Sequence, residues 1–187
     1  MTVDRLQRAR AGSRQALEEL LEAQGRRLLP YLRVRMGPLL RGQLESGDLL
    51  QETLLAALTG FDGFRGKNED ELFHWMARIA ANQVKDHVQF HHRDRRDARR
   101  NEPFEESAVV ASARSVLSRL AIKEGTSALE QALDELPDQQ REVVLLRRFE
   151  GLSYTEIGDR LGRSADAARM LYGRAVAALA ATIGSAR

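Results

Sequence analysis

The sequence predicts an all-α protein: two small helical domains joined by a flexible linker. Three observations carry this. Apolar residues recur at three- and four-residue spacing through most of the chain, and no segment shows convincing strand alternation. Periodicity then weakens over a polar stretch past the middle. At 187 residues the chain has room for one ordinary domain or two small ones.

Ser13 is placed to cap a helix bearing Ala16, Leu17, Leu20, Leu21 and Leu28 on one side, with Pro30 expected to kink or restart it. A second helix is expected over Asp48–Thr59. A third is expected over Asp70–Gln89, with Leu72, Phe73, Met76, Ile79, Ala80, Gln83, Val84 and Val88 near one face. The glycine-rich segment Gly60–Glu69 (GFDGFRGKNE) reads as the loop between them. The first domain is expected to end near residue 95. Residues 96–126 read as linker, with a helix near Ala111–Ile122, and residues 127–187 as the second domain. Its helices are expected over Leu129–Leu136, Asp138–Glu150, Tyr154–Leu161 and Ser164–Thr182, punctuated by Pro137, Gly151 and Gly162.

Composition narrows the function. With no cysteine, disulfides, thiol catalysis and cysteine-ligated zinc are excluded. No apolar run reaches membrane-span length and Met1–Arg14 lacks a signal-peptide core, so a cytoplasmic protein without a membrane partner is expected. Net charge is only +2 but uneven. Residues 1–100 carry 18 Lys/Arg against 14 Asp/Glu, and the excess peaks at His91–Arg100 (HHRDRRDARR). Lysine occurs only at Lys67, Lys85 and Lys123; arginine supplies the rest, and its planar fork suits phosphate or guanine. A GC-rich genome would give the same bias.

Tyr154–Leu179 (YTEIGDRLGRSADAARMLYGRAVAAL) reads as a helix-turn-helix. Ser153 or Thr155 starts the first helix, Gly162 supplies the turn, and Ser164 caps the second. Ala168, Leu171, Tyr172, Ala175 and Leu179 share the inward face. Asp166, Arg169, Met170, Gly173 and Arg174 share the outward one, which suits reading of a DNA major groove. A helical hairpin with a solvated charged face fits this pattern as well.

The upstream stretch decides between them. Ala132–Gly151 (ALDELPDQQREVVLLRRFEG) followed by Leu152–Gly162 (LSYTEIGDRLG) closely resembles region 4 of the sigma factors of bacterial RNA polymerase. Two departures stand out: Gly158 where the family usually has alanine, a site expected to need only a small residue, and Asp166–Ala168 where a Gly-Thr-Val type is usual. Asp48–Leu58 (DLLQETLLAAL) resembles region 2.2, and Phe61–Gly66 with Phe73–Asp86 (FHWMARIAANQVKD) resembles regions 2.3 and 2.4. The span between the matched regions leaves no room for a full region 3, which points to the small extracytoplasmic-function type.

That resemblance implies a transcription initiation factor with no catalytic residue and no cofactor. Its partners would be the polymerase core, through the clamp coiled coil of the largest subunit and the flap of the second, and promoter DNA. An anti-sigma factor or regulatory kinase is a further partner of the type. The core contact would fall on Asp48, Leu49, Gln51, Glu52 and Leu55. The −10 strand would meet Phe64, Arg65, Lys67, Arg78, Asn82 and Lys85, and the −35 element Ser164, Arg169, Met170, Gly173 and Arg174. Single strands bind by stacking on exposed rings with cations along the backbone. Phe64 in its loop suits that role, whereas Phe73 and Trp75 read as core. His87 and His91 sit four apart without an evident third ligand, so a metal site is not expected. The rival classes are a stand-alone helix-turn-helix regulator and a helical enzyme; no clustered acid, base or nucleophile supports the latter.

Overall fold

Every regular element among the described residues, 2–94 and 128–185 of the computed structural model, is helical. The chain divides into two units, Met1–Lys123 and Glu124–Arg187. The expected linker over 96–126, its helix near Ala111–Ile122 and the end of the basic run lie outside the described residues.

The first unit contains α1 (Thr2–Arg10), α2 (Arg14–Arg41), α3 (Ser46–Gly60) and α4 (Glu69–Asp94). Ser13 caps α2 as expected: its Oγ accepts from the Ala16 N–H at 3.3 Å, satisfying one orphan donor of the first turn. α2 is the hub, packing on α1, α3 and α4, and α3 packs on α4. Leu20, Leu21, Leu28, Tyr31 and Leu32 of α2 meet Leu49, Leu50 and Leu54 of α3 and Leu72, Met76 and Ala80 of α4, all with no exposed surface. Each such leucine contributes about 1.5–3 kcal/mol over an exposed one. Across this core the Thr53 hydroxyl reaches the Leu49 carbonyl (2.8 Å) and Oε1 of Gln83 (2.6 Å), which ties α3 to α4.

Two expectations are corrected, and one helix is added. The break in α2 falls at Gly37 (φ 65°, ψ 169°), not at Pro30. The backbone stays helical past Pro30: a proline removes one ladder hydrogen bond, and the residues flanking it, Leu28, Tyr31 and Leu32, are packed in the core. Gly37 precedes Pro38, which disfavours helical backbone in the residue before it and accounts for the extended ψ; the positive φ is one that glycine takes easily. The helix α1 was not anticipated. Val88 is exposed, against its expected place on the inward face of α4.

The second unit contains α5 (Ala128–Glu135), α6 (Asp138–Val144), α7 (Tyr154–Leu161) and α8 (Ala165–Ser185), with α8 packed on α5, α6 and α7. The expected helix over Asp138–Glu150 is not uniform. After Val144 it widens into a π-helical turn, Leu145–Phe149, in which the Glu150 N–H donates to the Leu145 carbonyl at 3.0 Å. Glu150 is thereby turned inward, 1% exposed, and pairs with Arg160 of α7 at 3.1 Å. Ser153 starts α7 with a reciprocal capping box: its Oγ accepts from the Glu156 N–H (3.3 Å), and Glu156 Oε2 accepts from the Ser153 N–H (2.7 Å). Gly162 ends α7 in the left-handed region (φ 64°, ψ 39°), and the Arg163 N–H returns to the Gly158 carbonyl at 2.8 Å.

That return brings the turn onto Gly158. A Cβ there would lie 2.7 Å from the Arg163 carbonyl oxygen and 3.2 Å from the Ala165 nitrogen. The expectation that any small residue suits this site is therefore corrected, since alanine carries that Cβ and the obstacle is backbone.

Candidate nucleic-acid and protein interfaces

The outward face of α8 forms as periodicity dictates. Ala168, Ala175 and Leu179 are buried against the rest of the unit. Arg169, Met170, Gly173 and Arg174 are exposed on the far side, Met170 at 59%. Arg169 pairs with Asp166 at 2.7 Å, one turn back, but both side chains stay open to solvent, so the guanidinium is not sequestered. A Cβ at Gly173 would meet nothing within 4 Å, so packing inside the chain does not require glycine there. Ser164 stands at the N-cap, its Oγ accepting from the Ala167 N–H at 3.1 Å, and is exposed. Its observed contact belongs to the helix.

On α3, Asp48 and Glu52 are exposed and Gln51 and Leu55 half-buried. Leu49 is fully buried and joins Leu50, Thr53, Leu54 and Ala57 in the core stripe. Its expected place on an exposed docking face is corrected: 49 and 53 lie one turn apart, and 53 points inward. Glu52 Oε2 meets His87 Nε2 of α4 at 2.9 Å. The two sit in an open cleft of about 480 Å³ with Gln83, Asp86 and Phe90. Phe90 is 49% exposed, so this face continues from α3 onto α4. His87 and Phe90 were not anticipated as part of it; the i, i+4, i+7 spacing of Gln83, His87 and Phe90 was the available signal.

The loop after α3 holds the largest correction. Phe64 is 6% exposed, with its ring centroid 6.2 Å from Phe61 and 5.3 Å from Trp75. Gly66 lies flush against that ring; a Cβ there would stand 2.3 Å from it. In this conformation Phe64 offers no open face to a base, because the loop lacks apolar cover of its own and folds its aromatic inward. Arg65 and Lys67 remain exposed. Arg65 Nη1 donates to the Asp62 carbonyl at 2.7 Å, and the Lys67 N–H donates to Glu71 Oε2 at 3.0 Å. Asn68 and Glu71 cap the start of α4, with the Glu71 N–H donating to Asn68 Oδ1 at 2.8 Å. Arg78, Asn82 and Lys85 follow on α4 at i, i+4 and i+7, all exposed, and form one polar stripe.

The loop is also held from α1. Arg10 lies over the Phe64 ring, 5.6 Å from its centroid, and donates to the Phe64 carbonyl (3.4 Å) and the Gly66 carbonyl. Nearby, Arg5 and Gln24 both reach Glu69 at the start of α4, at 3.1 and 3.3 Å.

A helix-turn-helix with an arginine-bearing outer face, in a chain whose other helical unit has polar surfaces of its own, defines a DNA-binding transcription factor. Residues 126–179 match the family Sigma-70, region 4. The chain is 31% identical to the ECF RNA polymerase sigma factor SigD of Mycobacterium tuberculosis (strain ATCC 25618 / H37Rv), over 89% of its own length and 76% of that protein. It is 30% identical to the RNA polymerase sigma factor NccH of Alcaligenes xylosoxydans xylosoxydans, over 96% of this chain and 93% of that one. Among solved structures it aligns with CnrH in complex with the cytosolic domain of CnrY, at 26% identity, 98% and 97% coverage and a TM-score of 0.49. The chain belongs to the ECF sigma factors, the transcription initiation factors of bacterial RNA polymerase. No helix among the described residues is long and apolar enough to cross a membrane.

Proposed function

We propose that this sigma factor divides promoter recognition between its two units. The outer face of α8, with Arg169, Met170, Gly173 and Arg174, enters the major groove of the −35 element. The stripe Arg78, Asn82 and Lys85 with Arg65 and Lys67 holds the unpaired −10 strand, cations on phosphates and Asn82 on a base edge. The exposed Asp48 and Glu52, with Gln51 and Leu55, dock on the clamp coiled coil of the polymerase, and the second unit meets the flap. Residues 96–126 connect the two along the polymerase, which performs the chemistry in the cytoplasm. An anti-sigma factor or regulatory kinase controls its access.

The observation that carries this reading is α8: its back is buried in the unit, while its arginine-bearing face stays open after a tight left-handed turn. The test is to mix the full chain with core polymerase and footprint the holoenzyme on genomic promoters. Protection centred on a −35 and a −10 element is expected, with the −35 part lost in Arg174→Ala. Glu52→Lys is expected to weaken core binding without lowering the melting temperature, since an exposed charge acts on association rate and salt dependence. Unchanged core affinity at moderate salt would remove α3 from the docking surface.

A further inference from the structure

We infer that Arg10 of α1 is a positioning residue of the strand-holding loop, fixing the direction in which Arg65 meets DNA. The inference rests on the proposed role of that loop and goes beyond it, since α1 lies outside every segment assigned above to DNA. Arg10 approaches from 54 and 56 residues away in the chain to donate to the carbonyls of Phe64 and Gly66. Those two carbonyls flank Arg65. Holding both fixes the peptide before Arg65 and the one after Gly66, which limits the rotations between them and with them the vector of the Arg65 side chain. Arg65 is itself tied to the Asp62 carbonyl.

Stability alone is a poor explanation of this contact. Phe64 is already seated by Phe61, Trp75 and the flush Gly66. Arg10 itself is exposed, and so is its bond to the Gly66 carbonyl, which water could replace. What the guanidinium supplies is order in a glycine-rich segment that would otherwise lose conformational freedom when it bound a strand. Binding to a preordered loop avoids that loss. The requirement is for arginine in particular. Both bonds leave the same nitrogen, Nη2, with the guanidinium lying over the Phe64 ring; a lysine ammonium would sit one bond nearer the backbone and present no planar face to that ring. Arg10 also brings a third cation beside Arg65 and Lys67, which raises the local attraction for phosphate.

The test uses holoenzyme assembled from the full chain and core polymerase, with short fluorescein-labelled single strands of mixed sequence as the probe. Wild type is compared with Arg10→Ala, Arg10→Lys, Arg65→Ala, Asn82→Ala and the double variant R10K/R65A over a range of salt. Melting is checked for each, and Arg10→Lys decides the matter if Arg10→Ala melts early. R10K is expected to bind about five-fold more weakly than wild type, with an unchanged salt slope, because charge is kept and only the bridge is lost. In the R65A background R10K should add no further loss, as expected of a residue acting through Arg65. Full affinity in R10K, or losses that add in the double variant, would overturn the inference and leave the role of the loop standing. If Arg65→Ala and Asn82→Ala both bind like wild type, the role of the loop falls, and this inference with it.

Discussion

The two surfaces assigned to DNA are held in place by opposite means. In the second unit a regular helix does the work: the back of α8 is buried, so its front is fixed by helix geometry, and Met170 and Arg174 stand clear of the protein. In the first unit a short loop is held by contacts particular to it. Phe64 is turned inward, Gly66 lies against its ring, Asn68 and Glu71 bond one another, and Arg10 reaches in from α1. A helix face tolerates substitution at its exposed positions because its backbone satisfies itself. A loop positioned by side chains loses its shape when one of them is removed. The first surface is therefore expected to separate recognition from stability, and the second to couple them.

The strongest test of that contrast is Phe64→Ala. Truncating a buried phenylalanine costs about 3–5 kcal/mol. The variant should unfold at clearly lower denaturant, so any loss of promoter opening would follow from the damaged unit. A wild-type unfolding midpoint would show that the ring is dispensable to the fold and restore it as a candidate for base stacking. Next in size is Gly158→Ala, where the added Cβ meets backbone that cannot rotate away. A loss of about 1–3 kcal/mol is expected from the second unit by thermal melting; no loss would mean the turn relaxes freely. Arg174→Ala should leave melting unchanged and reduce discrimination of the −35 element about ten-fold, the effect of one lost bidentate guanine contact. A fall in stability instead would place Arg174 among the structural residues and blur the contrast. The smallest effect is expected from Asp166→Ala. Its exposed pair with Arg169 contributes about 0–1 kcal/mol, so stability should barely move. Affinity for promoter DNA, read by fluorescence anisotropy, should rise slightly as a carboxylate leaves the phosphate-facing surface.

The same contrast explains what the sequence could reveal. The spans of α3, α4, α7 and α8 were legible to within a few residues because burial repeats at helical spacing. The capping signals at Ser13, Ser153 and Ser164 were legible because each reports a local hydrogen bond. The helix α1 escaped because, among its described side chains, the buried apolar ones are Leu6 and Ala9, too few for a periodic signal. Pro30 misled because a proline's effect on a helix depends on the core around it. Leu49 and Phe64 were placed outside because a resemblance between motifs carries residue types more faithfully than solvent exposure. Arg10 could not have been found from spacing, since its partners lie more than fifty residues away and are backbone carbonyls.

The widened turn at Leu145–Phe149 has a consequence for how this gene tolerates change in length. An α-helix advances about 100° per residue, so the extra residue in that turn sets the phase of everything up to Glu150. The inward aim of Glu150 toward Arg160 depends on that phase. Loss of a single codon here would leave a regular α-helical turn with Glu150 swung away from its partner and Leu152 displaced from its buried seat. Replacement of the exposed Arg148 at the same place would disturb neither. Between Leu145 and Leu152 the number of residues is constrained more tightly than the identity of the exposed ones.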